Sequence, residues 1–309
     1  MYQRFSYFCT MIFTMRDIRN LFLHSLYILY DNTEAEAIMR YYFGMKWQIP
    51  SHEFVIRPDK TFQNEEWQEM QNDLRRLQNG EPVQYVVGKS EFYGYTLRVS
   101  PLVLIPRPET EELVQMLLQT LSSHFSSNCE DAVGYGASLP CRILDFCTGS
   151  GAIAIALAKQ LPHAEVWATD YRSEILELAQ QNAEDNQVKV HFIQHDVLQD
   201  GAESLNGPFL AIISNPPYIP QSSKQLLHKN VKDFEPEEAL FVPDENPLLF
   251  YEHIALLGRE LLTDNGMLFF ETYDNYHNEL ESLLLQLQYQ NIEKLMDLYG
   301  KPRFVTCKK

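Results

Sequence analysis

Two hydrophobic periods run along this chain, and the change from one to the other divides it. From Met15 to about Gly80, small and apolar positions recur every three or four residues, as in Ile18, Leu21, Phe22, Ser25, Leu26 and Leu29. That spacing draws one face of a helix. Asn32-Thr33 followed by Glu34-Ala35-Glu36-Ala37 reads as a cap and a new helix. Trp67, Met70, Leu74 and Leu77 make another stripe, closed by Asn79-Gly80. The pattern predicts a small bundle of four or five helices whose stripes form a core and carry no chemistry.

Beyond Glu81-Pro82-Val83-Gln84-Tyr85 the character changes. Residues 90–103 are aromatic and β-branched, with Gly94 as a turn, and predict a β-hairpin. A loop stiffened by Pro106 and Pro108 follows, and Thr110 can cap a helix reaching about Leu121. Residues 122–140 are polar and aperiodic, which predicts a long surface loop without active-site residues. Short apolar runs then alternate with helical stretches. Strands are expected at 142–146, 165–169, 188–194, 209–213 and 267–270, with helices at 152–161, 173–185, 247–262 and 276–287. Asn265-Gly266 reads as a turn, and 292–298 with 303–306 reads as a closing antiparallel pair. The class is therefore α/β with a mainly parallel sheet.

Composition narrows the partners. The chain has 309 residues, 45% of them hydrophobic, and a formal net charge of −17. Such acidity disfavours non-specific contact with nucleic-acid phosphates and suits a protein or small-molecule partner. Direct nucleic-acid binding is not expected. The five cysteines, Cys9, Cys129, Cys141, Cys147 and Cys307, include no C-x-x-C pair, so neither a disulfide framework nor a metal site is expected and the cytoplasm is the natural setting. No stretch approaches the roughly 18 apolar residues of a membrane helix. Residues 1–14 make a poor signal peptide, and Met11 or Met15 is an alternative start to Met1.

Candidate chemistry gathers at the ends of the expected strands. The first is followed by Cys147-Thr148-Gly149-Ser150-Gly151, a glycine turn leading into a helix, with Asp145 in the strand just before it. The string is neither a P-loop nor the dinucleotide G-x-G-x-x-G. The second strand ends in Asp170, placed to accept from both hydroxyls of a ribose. With no phosphate-gripping cation, S-adenosylmethionine fits better than a pyrophosphate ligand, and the nearby carboxylates suit its positive charges. Asp196 can accept from an adenine amine, and Val197 can cover the ring.

The fourth strand, 209–213, runs into Ser214-Asn215-Pro216-Pro217-Tyr218. Paired prolines end a strand, leaving Asn215 and Tyr218 at its carboxyl edge. A planar NH₂ group is a poor nucleophile because its lone pair is delocalised. The Asn215 side-chain oxygen and the Pro216 carbonyl can accept from its two N–H groups, and the Tyr218 ring can lie against it. Arg107 and Glu109 are expected to line the substrate pocket.

These strings together resemble the protein-glutamine methyltransferases that modify peptide chain release factors, the HemK/PrmC type. The matching segments are 80–85, 91–94, 104–111, 145–151, Asp170, 215–219 and Phe234-Glu235-Pro236, in family order. The resemblance implies a helical substrate-recognition domain at 1–88, a hairpin linker at 89–105 and a class I, Rossmann-like methyltransferase domain with a seven-stranded sheet at 106–309. It implies transfer of a methyl group from S-adenosylmethionine to the glutamine of a Gly-Gly-Gln motif, with S-adenosylhomocysteine as product, no metal, and a monomer. Cys147, Thr148, Gly149, Ser150, Gly151, Asp170, Val197 and Asn215 would contact S-adenosylmethionine, and Asn215, Pro216, Pro217 and Tyr218 would hold the glutamine amide. Cys147 replaces a common glycine, acceptable if its φ is negative. Val197 replaces a frequent aromatic. Glu271-Thr272-Tyr273-Asp274 lacks the glycine often found after the glutamate, and none of these departures is expected to touch the nucleophile site. Two rival readings stay open: an adenine-specific DNA or RNA methyltransferase using the same turn on a flipped base, and a module that binds the nucleoside without catalysis.

Overall fold

The computed structural model describes residues 13–128 and 141–309. Their helices are α1 (Met15–Leu26), α2 (Asn32–Trp47), α3 (Glu53–Ile56), α4 (Asn64–Gln78), α5 (Val83–Val87), α6 (Pro108–Asn128), α7 (Ala152–Gln160), α8 (Ser173–Asp185), α9 (Lys229–Phe234), α10 (Leu249–Leu261) and α11 (His277–Gln286). The strands are β1 (Lys89–Phe92), β2 (Tyr95–Arg98), β3 (Arg142–Phe146), β4 (Glu165–Asp170), β5 (His191–Gln194), β6 (Phe209–Ser214), β7 (Ile219–Pro220), β8 (Phe241–Val242), β9 (Leu262–Glu271), β10 (Gln290–Met296) and β11 (Pro302–Lys308). No described helix is long and apolar enough to cross a membrane.

The chain forms two compact units, one of residues up to Lys89 with Lys229–Phe234, the other of the remainder. The first unit is helical. Thr14 and Asp17 exchange side-chain-to-backbone bonds and start α1. Ile18, Phe22 and Leu26 are buried, but Leu21 of the same helix is exposed, and Leu29 is exposed because α1 ends at Leu26 and the chain turns. The start of α2 lies one residue before the expected cap: Asp31 accepts from the Glu34 amide at 2.9 Å, and Asn32 is already helical. Phe22, Tyr42, Phe43, Trp67, Met70 and Leu77 fill the core between α1, α2 and α4.

In the second unit the sheet order is β10-β11-β9-β6-β3-β4-β5. The five strands from β9 to β5 are parallel, and β11 and β10 join antiparallel. Alternation within β3 serves two cores. Ile143 faces Leu113 and Leu117 of α6 and Ile153 of α7, while Leu144 and Phe146 face Tyr251 and Ile254 of α10 and Leu280 of α11. The helix after Pro108 begins at that proline, whose missing N–H costs nothing in a first turn. Thr110 is therefore inside the helix and does not cap it. That helix also continues to Asn128, so 122–128 is not the expected loop; residues 129–140 and 1–12, with the alternative starts Met1 and Met11, lie outside the described residues.

Two expected boundaries differ. The third strand is shorter, beginning at His191. Asn265-Gly266 does not separate α10 from a strand; it sits inside β9, where register moves from Phe209↔Leu262 to Ala211↔Met267. The extra residues form an irregular excursion within the strand. The pairing resumes as Ile213↔Phe269 and Ser214↔Phe270, which places the end of β9 level with the end of β6.

Candidate active site

Parallel register carries the glycine turn, Asp170 and Asn215 to one edge, since Phe146 is paired with both Thr169 and Ser214. There they border a cavity of about 410 Å³. Its lining includes Cys147, Thr148, Gly149, Ser150, Asp170, Asp196, Val197, Asn215, Pro217 and Arg107. Asp145, Gly151, Glu109, Pro216 and Tyr218 are not part of that lining. Asp145 and Gly151 lie behind the turn. Glu109 lies in the electrostatic neighbourhood of Glu271 and Arg303, on the side that Tyr218 also faces.

The glycine turn is held from three directions. Thr148 donates to Asp145 Oδ2 at 2.6 Å, and the Gly149 amide donates to Asp170 Oδ2 at 3.0 Å. Asn182 of α8 donates to the Ser150 carbonyl at 2.9 Å and to the Arg98 carbonyl at 3.0 Å. Gly149 and Gly151 have φ of 54° and 82°. Cys147 does too, at 58°, against the expectation of a negative φ. A Cβ in this region costs about 1–2 kcal/mol, which explains a preference for glycine there. Burial pushes the Cys147 thiol well up, so it is no nucleophile at neutral pH.

Asp170 accepts from the Gly149 and Tyr171 amides, each at 3.0 Å, and from the backbone of Arg172, which fixes the carboxylate against the turn and its own loop. Burial pushes its carboxyl up to about 6. Asp145 is fully buried, its Oδ1 has no partner among the described residues, and burial, with Asp170 close by, pushes it up to about 8. A buried orphan acceptor beside a second carboxylate favours a cationic ligand. In the unfolded chain Asp145 titrates near 3.8, so between there and about 8 the folded protein keeps a proton that the unfolded chain has lost. Stability from this group therefore falls as pH rises through that window. Asp145→Asn should gain on the wild type between about pH 5 and about pH 8 in thermal melts; a pH-independent difference would refute the assignment.

Asp196 uses both oxygens in its own turn, accepting from the Leu198 amide at 3.0 Å and Gln199 Nε2 at 2.7 Å. Val197 is buried at the cavity wall. Arg107 is paired with the buried Glu235 at 2.5 Å, and Glu235 also accepts from the Ile105 amide at 3.2 Å. This pins the two-proline loop to the Phe234-Glu235-Pro236 segment and gives Glu235 a role the sequence did not reveal.

Asn215 is half-buried, and its Nδ2 donates to Thr110 Oγ1 at 3.1 Å. Thr110 donates to Glu271 Oε2 at 2.6 Å, and the Tyr218 hydroxyl donates to Glu271 Oε1 at 3.1 Å. Glu271 is 1% exposed, and burial raises its carboxyl above the ordinary range. The segment departing from the family pattern thus begins on a residue bonded to Tyr218 and, through Thr110, to Asn215. That corrects the expectation that it stays clear of the nucleophile site. Tyr273 of the same segment stacks near Tyr218, centroids 6.2 Å apart.

The site can hold a flat, polar, positively charged nucleoside against carboxylates and present an amide oxygen to a donor at its edge. The chain resembles known proteins along most of its length. The family described as methyltransferase small domain matches residues 115–235, and that described as PrmC N-terminal domain matches 20–88. A release factor glutamine methyltransferase of Flavobacterium psychrophilum is 35% identical over 291 residues, 94% of this chain and 98% of that protein. Another, of Bacteroides thetaiotaomicron, is 42% identical over 240 residues, 77% of this chain and 80% of that protein. Among solved structures, a release factor-specific protein-(glutamine-N5) methyltransferase of Alicyclobacillus acidocaldarius is 25% identical, with a TM-score of 0.37 over 69% of this chain and 99% of that one.

Proposed function

Since this chain belongs to the release factor glutamine methyltransferase family, we propose that it methylates the side-chain amide nitrogen of the glutamine in the Gly-Gly-Gln motif of peptide chain release factors. S-adenosylmethionine, when bound, supplies a sulfonium-activated methyl group for in-line displacement and leaves as S-adenosylhomocysteine. The observation that carries the reading is the Asn215 amide. Its NH₂ is engaged by Thr110, leaving Oδ1 as the acceptor for a substrate N–H. The Pro216 carbonyl takes the second N–H, so the glutamine nitrogen is held with its lone pair toward the methyl carbon, and Tyr218 backs the amide plane. Proximity and alignment supply much of the acceleration. The proton leaves to water after the new C–N bond has formed.

The remaining assignments follow position. Asp170 accepts from the ribose hydroxyls. Thr148, Gly149 and Ser150 border the methionine end with Cys147, and Gly151 gives the turn its shape. Asp145 offsets the cationic charge from behind the turn. Asp196 and Val197 meet the adenine. Arg107 and Pro217 shape the substrate entry with Glu109 beside it. The helical domain at 1–88 recognises the factor, the hairpin at 89–105 links it to the catalytic domain at 106–309, and the protein works in the cytoplasm as a monomer without a metal.

The test is transfer of labelled methyl to purified release factor, to the same factor with its Gly-Gly-Gln glutamine changed to alanine, and to duplex DNA. Label on the intact factor alone is the expected result. Label on DNA would replace this reading with the adenine-specific one.

A further inference from the structure

We propose that the Glu271 carboxylate, acting through the Thr110 hydroxyl, fixes which end of the Asn215 amide faces the substrate, making Glu271 and Thr110 positioning residues for methyl transfer. The inference rests on the reading of Asn215 as the acceptor for the glutamine NH₂.

An asparagine amide has two ends of nearly equal shape and opposite hydrogen-bonding sense, so its identity does not say which end is presented. The surrounding bonds decide. An ionised carboxylate only accepts. Thr110 has a single O–H, and it is given to Glu271 Oε2 at 2.6 Å. Toward Asn215, Thr110 Oγ1 can then only accept, which selects Nδ2, seen at 3.1 Å, and turns Oδ1 the other way. A reversed amide would set two acceptors against each other in a buried place. The other Glu271 oxygen takes the Tyr218 hydroxyl at 3.1 Å. One buried carboxylate thus sets both the amide and the ring of the Asn-Pro-Pro-Tyr turn. The contact is a product of register: Ser214↔Phe270 pairing puts Glu271 level with Asn215, and Thr110 reaches both from the first turn of α6.

The relay has a charge dependence. A protonated Glu271 could donate to Thr110, freeing the threonine proton for Asn215 Oδ1 and reversing the amide. The groups around Glu271 are Thr110, Tyr218, Arg303, Glu109 and the Tyr251 hydroxyl, which donates to the Glu271 carbonyl at 3.0 Å. Burial raises the Glu271 carboxyl, and Arg303 pulls against that. The relay therefore loses its sense on the acid side of the activity profile.

Two readouts test it, and one needs no turnover. In the first, kcat and KM for labelled methyl transfer to release factor are measured for wild type, Thr110→Val, Thr110→Ser and Glu271→Gln. Thr110→Val should lower kcat about 100-fold with both KM values changed less than about threefold, because alignment and not binding is lost. Thr110→Ser, which keeps the hydroxyl, should recover most of the rate, and Glu271→Gln should slow the enzyme and remove the acid limb of its kcat profile. In the second, hydrogen exchange of the Asn215 side-chain NH₂ is followed by ¹⁵N NMR. One proton should be protected in wild type and exchange freely in Thr110→Val. A Thr110→Val enzyme at wild-type kcat, or equal Asn215 exchange in the two proteins, overturns the relay. Should wild type leave the factor glutamine unmodified, the substrate reading fails, while the exchange measurement still decides the relay.

Discussion

Asn215→Ala is expected to lower methyl transfer to release factor about 100- to 1,000-fold, the scale seen when a single well-placed hydrogen-bonding group is removed from the reacting centre. The structural reason is that alanine removes the side-chain acceptor, Asn215 Oδ1, that Thr110 leaves for the substrate. The Pro216 carbonyl would remain, but one acceptor cannot fix an NH₂ group that must present its lone pair along a single line. Binding of S-adenosylmethionine should change less than about tenfold, because Asn215 is one wall group among several and the glycine turn and Asp170 are held by separate bonds. The fold should persist too, since the side chain is only half-buried and, among the described residues, bonds Thr110. Titration calorimetry with the methyl donor, beside single-turnover transfer, separates these effects. Full activity in a folded variant would remove Asn215 from the mechanism.

Much of this site could be read from local strings. Apolar runs before Asp170 and Asn215 locate strand ends, and ligands in open α/β sheets gather there. Paired prolines report the end of β6 whatever surrounds them. What stayed hidden depends on distant pairings. Thr110 and Glu271 are 161 residues apart, and only the β6–β9 register with the first turn of α6 brings them to Asn215. Thr110 follows two prolines and precedes acidic residues, a pattern that fits a cap equally well, so its type could not reveal its partner. The sign of φ at Cys147 was hidden for a different reason. A cysteine side chain argues for a negative φ, and only the folded turn shows the positive one. Asn182 looked like one more polar residue of an amphipathic helix, yet it is fully buried and ties α8 to Ser150 and Arg98. A polar residue on the buried side of α8 was the one available signal.

Asp170→Ala should weaken S-adenosylmethionine binding about 100-fold, and the loss should appear in KM far more than in kcat at saturation. Two hydrogen bonds from ribose hydroxyls to a carboxylate are each of the stronger, charge-assisted kind, together about 3 kcal/mol or more net. The alanine also removes the acceptor for the Gly149 amide, so part of the effect is a looser glycine turn. Asp170→Asn distinguishes the two contributions. It keeps an oxygen for Gly149 but offers the ribose one acceptor and one donor, and should fall between wild type and alanine. The pH dependence supplies an independent check. Burial pushes Asp170 up to about 6 and Asp145 up to about 8, so both carboxyls are partly protonated in the free protein over the physiological range. A cationic ligand favours their ionised forms and must displace those protons, so affinity should rise with pH from about 5 to about 8 and binding should release protons to the buffer. In Asp145→Asn the upper part of that rise should vanish while the part near 6 remains. An affinity that is flat over this range in the wild type would mean that neither carboxylate meets the ligand's charge.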